Sequence, residues 1–138
     1  MGALLGLDLG QKRVGVAVSD ETWSIATALA TVEFKSRAFL AGELSKFVKE
    51  YSVTKIVVGL PLNAEGEKGP AAEKVTGNVE WLKAQIPVKW EFWDERFTTK
   101  EAEAILLEAD VSRARRKEVV DQLAAQRILQ SYIDCHRC

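Results

Sequence analysis

Residues 3–20, ALLGLDLGQKRVGVAVSD, hold two strands and the turn between them. ALLGLDL (3–9) is a short apolar run, the signal of a buried strand. Gly10-Gln11-Lys12 makes a turn, and in RVGVAVSD (13–20) Val14, Val16 and Val18 share one face while small Gly15 and Ala17 share the other. Residues 25–33 (IATALATVE) are β-capable, and two tight connections in succession predict a three-stranded antiparallel meander. One residue in this stretch is out of place. Asp8 sits in an apolar strand, where a carboxylate is costly unless a cation or hydrogen bonds compensate it. Its bland role would be to start the hairpin turn.

Beyond residue 33 the periodicity changes. Phe39, Leu40, Leu44, Phe47 and Val48 recur at helical spacing, predicting an amphipathic helix over 37–50. Lys55 to Gly59 is a short buried strand. A loop from Leu60 to Gly69, rich in Gly and charge, leads to Pro70, which suits the first turn of a helix using Val75, Val79 and Leu82. We expect that loop to form a rim of the site, since the strand before it should lie beside the first. Residues 88–94 alternate as a fifth strand. Thr98-Thr99-Lys100-Glu101 opens a helix to about Glu108 with a capping-box pattern, and a last helix covers roughly 116–134. The expected fold is α/β: a five-stranded mixed sheet, three antiparallel strands then two parallel, flanked by about four helices. Residues 1–134 make one domain and 135–138 a tail.

At 138 residues and 47% apolar composition the chain suits one hydrophobic core. Its N-terminus has no basic stretch, apolar core and cleavage site, and no apolar run is long enough to span a bilayer. A cytoplasmic protein without membrane contact is therefore expected. The net charge of −1 means that any nucleic-acid contact must rest on a local basic patch. Cys135 and Cys138 form a lone C-x-x-C around the single His136. Zinc wants about four ligands, and redox pairs gain thiolate character at a helix N-terminus, whereas this one follows a helix. The pair reads as a reduced tail.

Three features carry chemistry: Asp8 at the end of the first strand, Asp94-Glu95-Arg96 at the end of the fifth, and Asp121 in the last helix. Strand ends in α/β sheets are where ligand sites gather. Asp121 shares its helix face with Ala124, Ala125 and Ile128, the face that should lie against the sheet. Carboxylates from several elements converging on one point are what two-metal phosphodiester hydrolysis requires, with Mg²⁺ or Mn²⁺ as the hard cation. A single His excludes most nucleophilic triads. Arg13, Arg96 and the cluster Arg113, Arg115, Arg116 and Lys117 are candidates for backbone phosphates, and Asn63 has an amide that fits a phosphate or sugar oxygen. Each would have a structural role otherwise: Arg13 as a brace for the hairpin, the cluster as a solvated helix start.

D-L-G-x-x-R-x-G-V-A near the N-terminus, V-V-G-L-P-L-N at 57–63, D-E-R-F-T-T at 94–99 and V-D-Q-L-A-A at 120–125 resemble the YqgF family, also called RuvX. This is a bacterial RNase H-like family related to the Holliday-junction resolvase RuvC, and the match runs in order along nearly the whole chain. The resemblance implies an RNase H-like fold in which Asp8, Glu95 and Asp121 are the catalytic, metal-binding acids. It implies a nuclease maturing the 5′ end of pre-16S ribosomal RNA, or a resolvase of branched DNA. RuvC carries a further acid three residues along the last helix, where this chain has Ala124, leaving Glu118 one turn earlier as the candidate fourth ligand. Trimming RNA would suit a monomer and resolving a junction a homodimer. Two other readings use the same residues: a phosphate-binding turn of the actin-like and sugar-kinase ATPases, which need a second domain, and a non-catalytic RNA-binding module for ribosome assembly. Glu95 alternates with Glu91 and Trp93, which puts it on the less apolar face of its strand and leaves open whether Asp8 shares that face.

Overall fold

The computed structural model describes residues 2–61, 69–94 and 113–136, with side chains of the last segment from residue 120 onward. The hairpin reading holds: β1 (Ala3–Leu9) pairs antiparallel with β2 (Arg13–Ser19), which pairs antiparallel with β3 (Ala26–Glu33). Helix α1 (Arg37–Glu50) begins at the Ser36 cap, whose side chain accepts the Phe39 N–H. It returns the chain to β4 (Val53–Leu60), parallel to β1. Helix α2 (Pro70–Gln85) then crosses to β5 (Lys89–Asp94), parallel to β4. The sheet order is β3-β2-β1-β4-β5, the expected mixed arrangement. The last helix described, α3, is Arg113–His136. The expected helix over 98–108, the loop residues 62–68 that include Asn63, and Glu95 and Arg96 lie outside the described residues.

The alternation of the strands divides the core in two. Leu5, Leu7 and Leu9, with Val14, Val16, Val18, Ile56 and Val58, pack under α1 and α2. Leu4, Ala17 and Val57 pack under Ala125, Ile128, Leu129 and Tyr132 of α3. Gly6, Gly15 and Ala17 on the strands beneath it let α3 lie nearly on the sheet backbone. A methyl group on Gly6 would come within 2.8 Å of the Leu129 Cβ and 3.1 Å of the Ala125 carbonyl oxygen.

Polar contacts fix the angle of α3. On the edge strand, the Ala26 N–H donates to the Gln130 side-chain oxygen at 2.8 Å, and its carbonyl accepts from the Gln126 amide at 3.0 Å. Outward-facing backbone groups of an edge strand are thereby paired instead of left for another chain. Towards the other edge, Lys55 donates to the Tyr132 hydroxyl at 2.7 Å and to Glu91 at 3.1 Å. The Tyr132 bond, and after it Glu91, hold the Lys55 ammonium above its ordinary pKa against the opposing effect of burial. The helix runs to His136, past the end expected at 134, because the His136 ring stacks on Tyr132 at 4.0 Å and lies 2.8 Å from its carbonyl oxygen. Cys135 is exposed with a free thiol within this last turn.

Candidate active site

Asp8 lies near the carboxyl end of β1. It belongs with Leu4 and Gly6 on the face that α3 covers, while Leu5, Leu7 and Leu9 point to the other side. Directly across the β1–β2 ladder from Asp8 stands Gly15. The carbonyl oxygen of Asp121 comes so close to Gly15 that a Cβ there would lie 1.8 Å from it. No side chain fits between helix and strand at this point. Gly15 thus lets the α3 backbone descend onto β2 beside the residue that faces Asp8. Two acidic residues from opposite ends of the sequence thus have their backbones against the same strand position.

The expected face of α3 is the observed one: Ala124, Ala125 and Ile128 are completely buried, and Asp121 is half-buried at the rim of that contact. Ala124, where the RuvC pattern has an acid, is part of the packing. Glu91 and Trp93 answer the open question of strand parity. Glu91 meets Lys55 and Tyr132, and Trp93 packs edge-on to Tyr132 with its indole N–H donating to Ser131. The less apolar face of β5 is therefore the α3 face, the one that carries Asp8.

Arg13 occupies the start of β2 and shares the α3 face with Gly15 and Ala17. Its Nε donates to Asp121 Oδ2 at 2.9 Å, an ion pair across 108 residues of sequence. The bracing role foreseen for Arg13 is thus directed at the helix as well as the hairpin, where its own carbonyl accepts the Gly10 N–H at 3.0 Å. A charge-assisted bond of this kind orients the carboxylate. Arg13→Gln is expected to lower the unfolding free energy by about 1 kcal/mol, since the pair is partly buried and partly screened. Urea denaturation measures this, and an unchanged midpoint would release the guanidinium for substrate phosphate.

Oxygen-only donors from Asp8 and Asp121 suit a hard divalent cation. Among the described residues no group of three or more metal-ligating side chains occurs, and Glu95, the third expected acid, lies outside them. The side chains of Arg113, Arg115, Arg116 and Lys117 are outside the description, although their backbone forms the first turns of α3. Sequence reasoning missed Gly15. Its signal was present in small residues on both partners, Gly15 and Ala17 on the strand and Ala124 and Ala125 on the helix.

Residues 2–135 match the RuvX family, described as Holliday junction resolvase. A protein of Myxococcus xanthus provisionally named a pre-16S rRNA nuclease is 48% identical over 133 residues, covering 96% of this chain and 88% of its own. One of Clostridioides difficile with the same name is also 48% identical, covering 96% and 94%. Among solved structures, the Thermus thermophilus RuvC in complex with a Holliday junction superposes with a TM-score of 0.58 at 14% identity, covering 99% of this chain and 96% of that one. The fowlpox virus resolvase bound to junction DNA gives 0.59 at 10% identity, covering 96% and 97%. These likenesses establish the RNase H-like fold. With nearly its full length matched in sequence, the chain belongs to the RuvX (YqgF) family.

Proposed function

We propose that this protein is a metal-dependent endonuclease of structured nucleic acid that processes the 5′ end of pre-16S rRNA in the cytoplasm. The observation that carries the reading is the convergence of Asp8 and Asp121 at Gly15, in a family whose relatives bear the name of that nuclease. In this reading Asp8, Asp121 and Glu95 hold Mg²⁺ or Mn²⁺. The alternation of the sequence groups Glu95 with Glu91 and Trp93, whose face is the one that α3 covers, and this supports including it. The bound metal would supply an activated water and charge stabilisation for the departing oxygen. The chain's own residues do the rest. Arg13 keeps the Asp121 carboxylate aimed, Gly15 sets its depth, and the basic first turns of α3, from Arg113 to Lys117, steer phosphates towards it.

The family description favours a second substrate, the four-way DNA junction. Both are tested together. With Mn²⁺ or Mg²⁺, a 5′-extended 16S precursor fragment should be cut at discrete positions, and EDTA should stop the cutting. Cleavage of the junction in preference to the precursor would reverse the order of substrates. Binding without cleavage of either, in both metals, would make the protein a non-catalytic RNA-binding module of the same fold.

A further inference from the structure

On the opposite face of the sheet from Asp8 lies a cavity of about 850 Å³ that the acid site does not use. Leu9, Phe34, Pro61 and Val75 give it an apolar floor. Among the described residues, Arg37 and Lys74 stand on its wall, with the amides of Gln11 and Asn78 and one acid, Glu73. Arg37 is exposed at the first turn of α1, where a positive charge opposes the helix dipole. It is nevertheless held, its Nε donating to Asn78 Oδ1 of α2 at 2.9 Å. The bond ties two helices together and fixes a guanidinium on the wall of the cavity.

Gly77 points the same way. It stands in the middle of α2 and lines the cavity, and among the described residues a Cβ there would meet nothing within 4 Å. Glycine inside a helix is destabilising relative to alanine, and no packing contact at this position requires it. What its absence of side chain preserves is the open volume.

We propose that this cavity binds an unpaired nucleotide of the substrate strand, next to the one held at Asp8. A flat base suits the floor around Phe34 and Pro61, because base–aromatic stacking is indifferent to sequence. A phosphodiester suits Arg37 and Lys74, which outnumber Glu73 among the described residues. The cavity also adjoins the acid site. Leu9 follows Asp8 directly, about 3.8 Å away between α-carbons, and points to the other face. A strand passing over the carboxyl end of β1 therefore goes from one site to the other. A pocket of this volume takes a single base with its phosphate, which suits sequence-tolerant binding of a single strand.

This inference rests on the nuclease reading, and its test separates the two. Binding to an RNA hairpin with a single-stranded tail, and to the same hairpin blunt-ended, is followed by fluorescence anisotropy in EDTA. Arg37→Gln/Lys74→Gln should weaken binding of the tailed hairpin about tenfold and lower its salt slope by about 0.7 for each lost contact. Gly77→Leu should weaken it similarly by filling the cavity, while leaving thermal stability equal or higher. The blunt hairpin should bind all three proteins alike. Equal losses on both hairpins would overturn the assignment to an unpaired nucleotide. Wild-type affinity in both variants would overturn the cavity while the nuclease reading stands. Failure of the wild-type protein to bind either RNA would remove that reading, and this one with it.

Discussion

Asp8→Asn is expected to reduce cleavage by a factor of about 10³ or more at saturating Mn²⁺, a loss of about 4 kcal/mol in transition-state stabilisation. The swap keeps the shape of the side chain and removes only its charge. Glu95→Gln and Asp121→Asn should do the same, because each acid is proposed as a ligand of the same metal. Their effects on stability should differ. Asp8→Asn keeps the shape of the side chain and its capacity to accept a hydrogen bond, so its melting temperature should stay close to that of the wild type. Asp121→Asn removes the ion pair that Arg13 makes at 2.9 Å, so its melting temperature should fall slightly. Turnover under metal saturation and calorimetry on the same samples check both statements. Near-normal turnover in any one variant would strike that residue from the ligand set.

Gly15→Ala should be the most damaging single methyl group in the described structure. The added Cβ would lie 1.8 Å from the oxygen and 2.3 Å from the carbon of the Asp121 carbonyl. Both are backbone atoms and no side-chain rotation relieves the contact. Either α3 lifts from the sheet or β2 bends away, and each breaks the packing of Ala125, Ile128 and Leu129. Overpacking commonly costs 1–3 kcal/mol, and a clash with backbone belongs at or above the upper end, about 3 kcal/mol. For a chain of this size that lowers the melting temperature by about 10 °C or more. Cleavage should fall as well, since Asp121 moves with the helix. A variant that melts like the wild type would mean that α3 does not rest on Gly15. Gly77→Ala provides the contrast: the same change in an open position should stabilise its helix.

The elements most legible in the sequence were those whose neighbours along the chain determine them. Alternation of Val14, Val16 and Val18 with Gly15 and Ala17 reveals β2 and both of its faces, and Ala124, Ala125 and Ile128 reveal the buried side of α3. Asp121 stood out for the same reason, as an acid on the side that packs. The pairing of Arg13 with Asp121 has no local signal, because 108 residues separate the partners. Nor does the face of β5 that carries Glu91: its parity was plain, but only the register of β1, β4 and β5 shows that Asp8 lies on that face. The Gln126 and Gln130 contacts with Ala26 are of the same kind, since glutamine on a helix reads as solvated until a strand edge is found beneath it. Residues 37, 74 and 77 were invisible for a different reason. A cavity is a property of three elements at once, and each of its residues alone looks like ordinary surface.

The distance in sequence between Arg13 and Asp121 also orders events in time. A ribosome releases β1 and β2 early and the helix that bears Asp121 more than a hundred residues later. Until then the sheet has nothing over Gly6 and Gly15, and Asp8 has no partner acid from α3. Contacts of such long range form late in folding as well as in synthesis. A nascent chain thus passes most of its elongation, among the very RNAs it is proposed to cut, without a competent centre. On the proposed assignment of Asp121, completion of the last helix is the step that arms it.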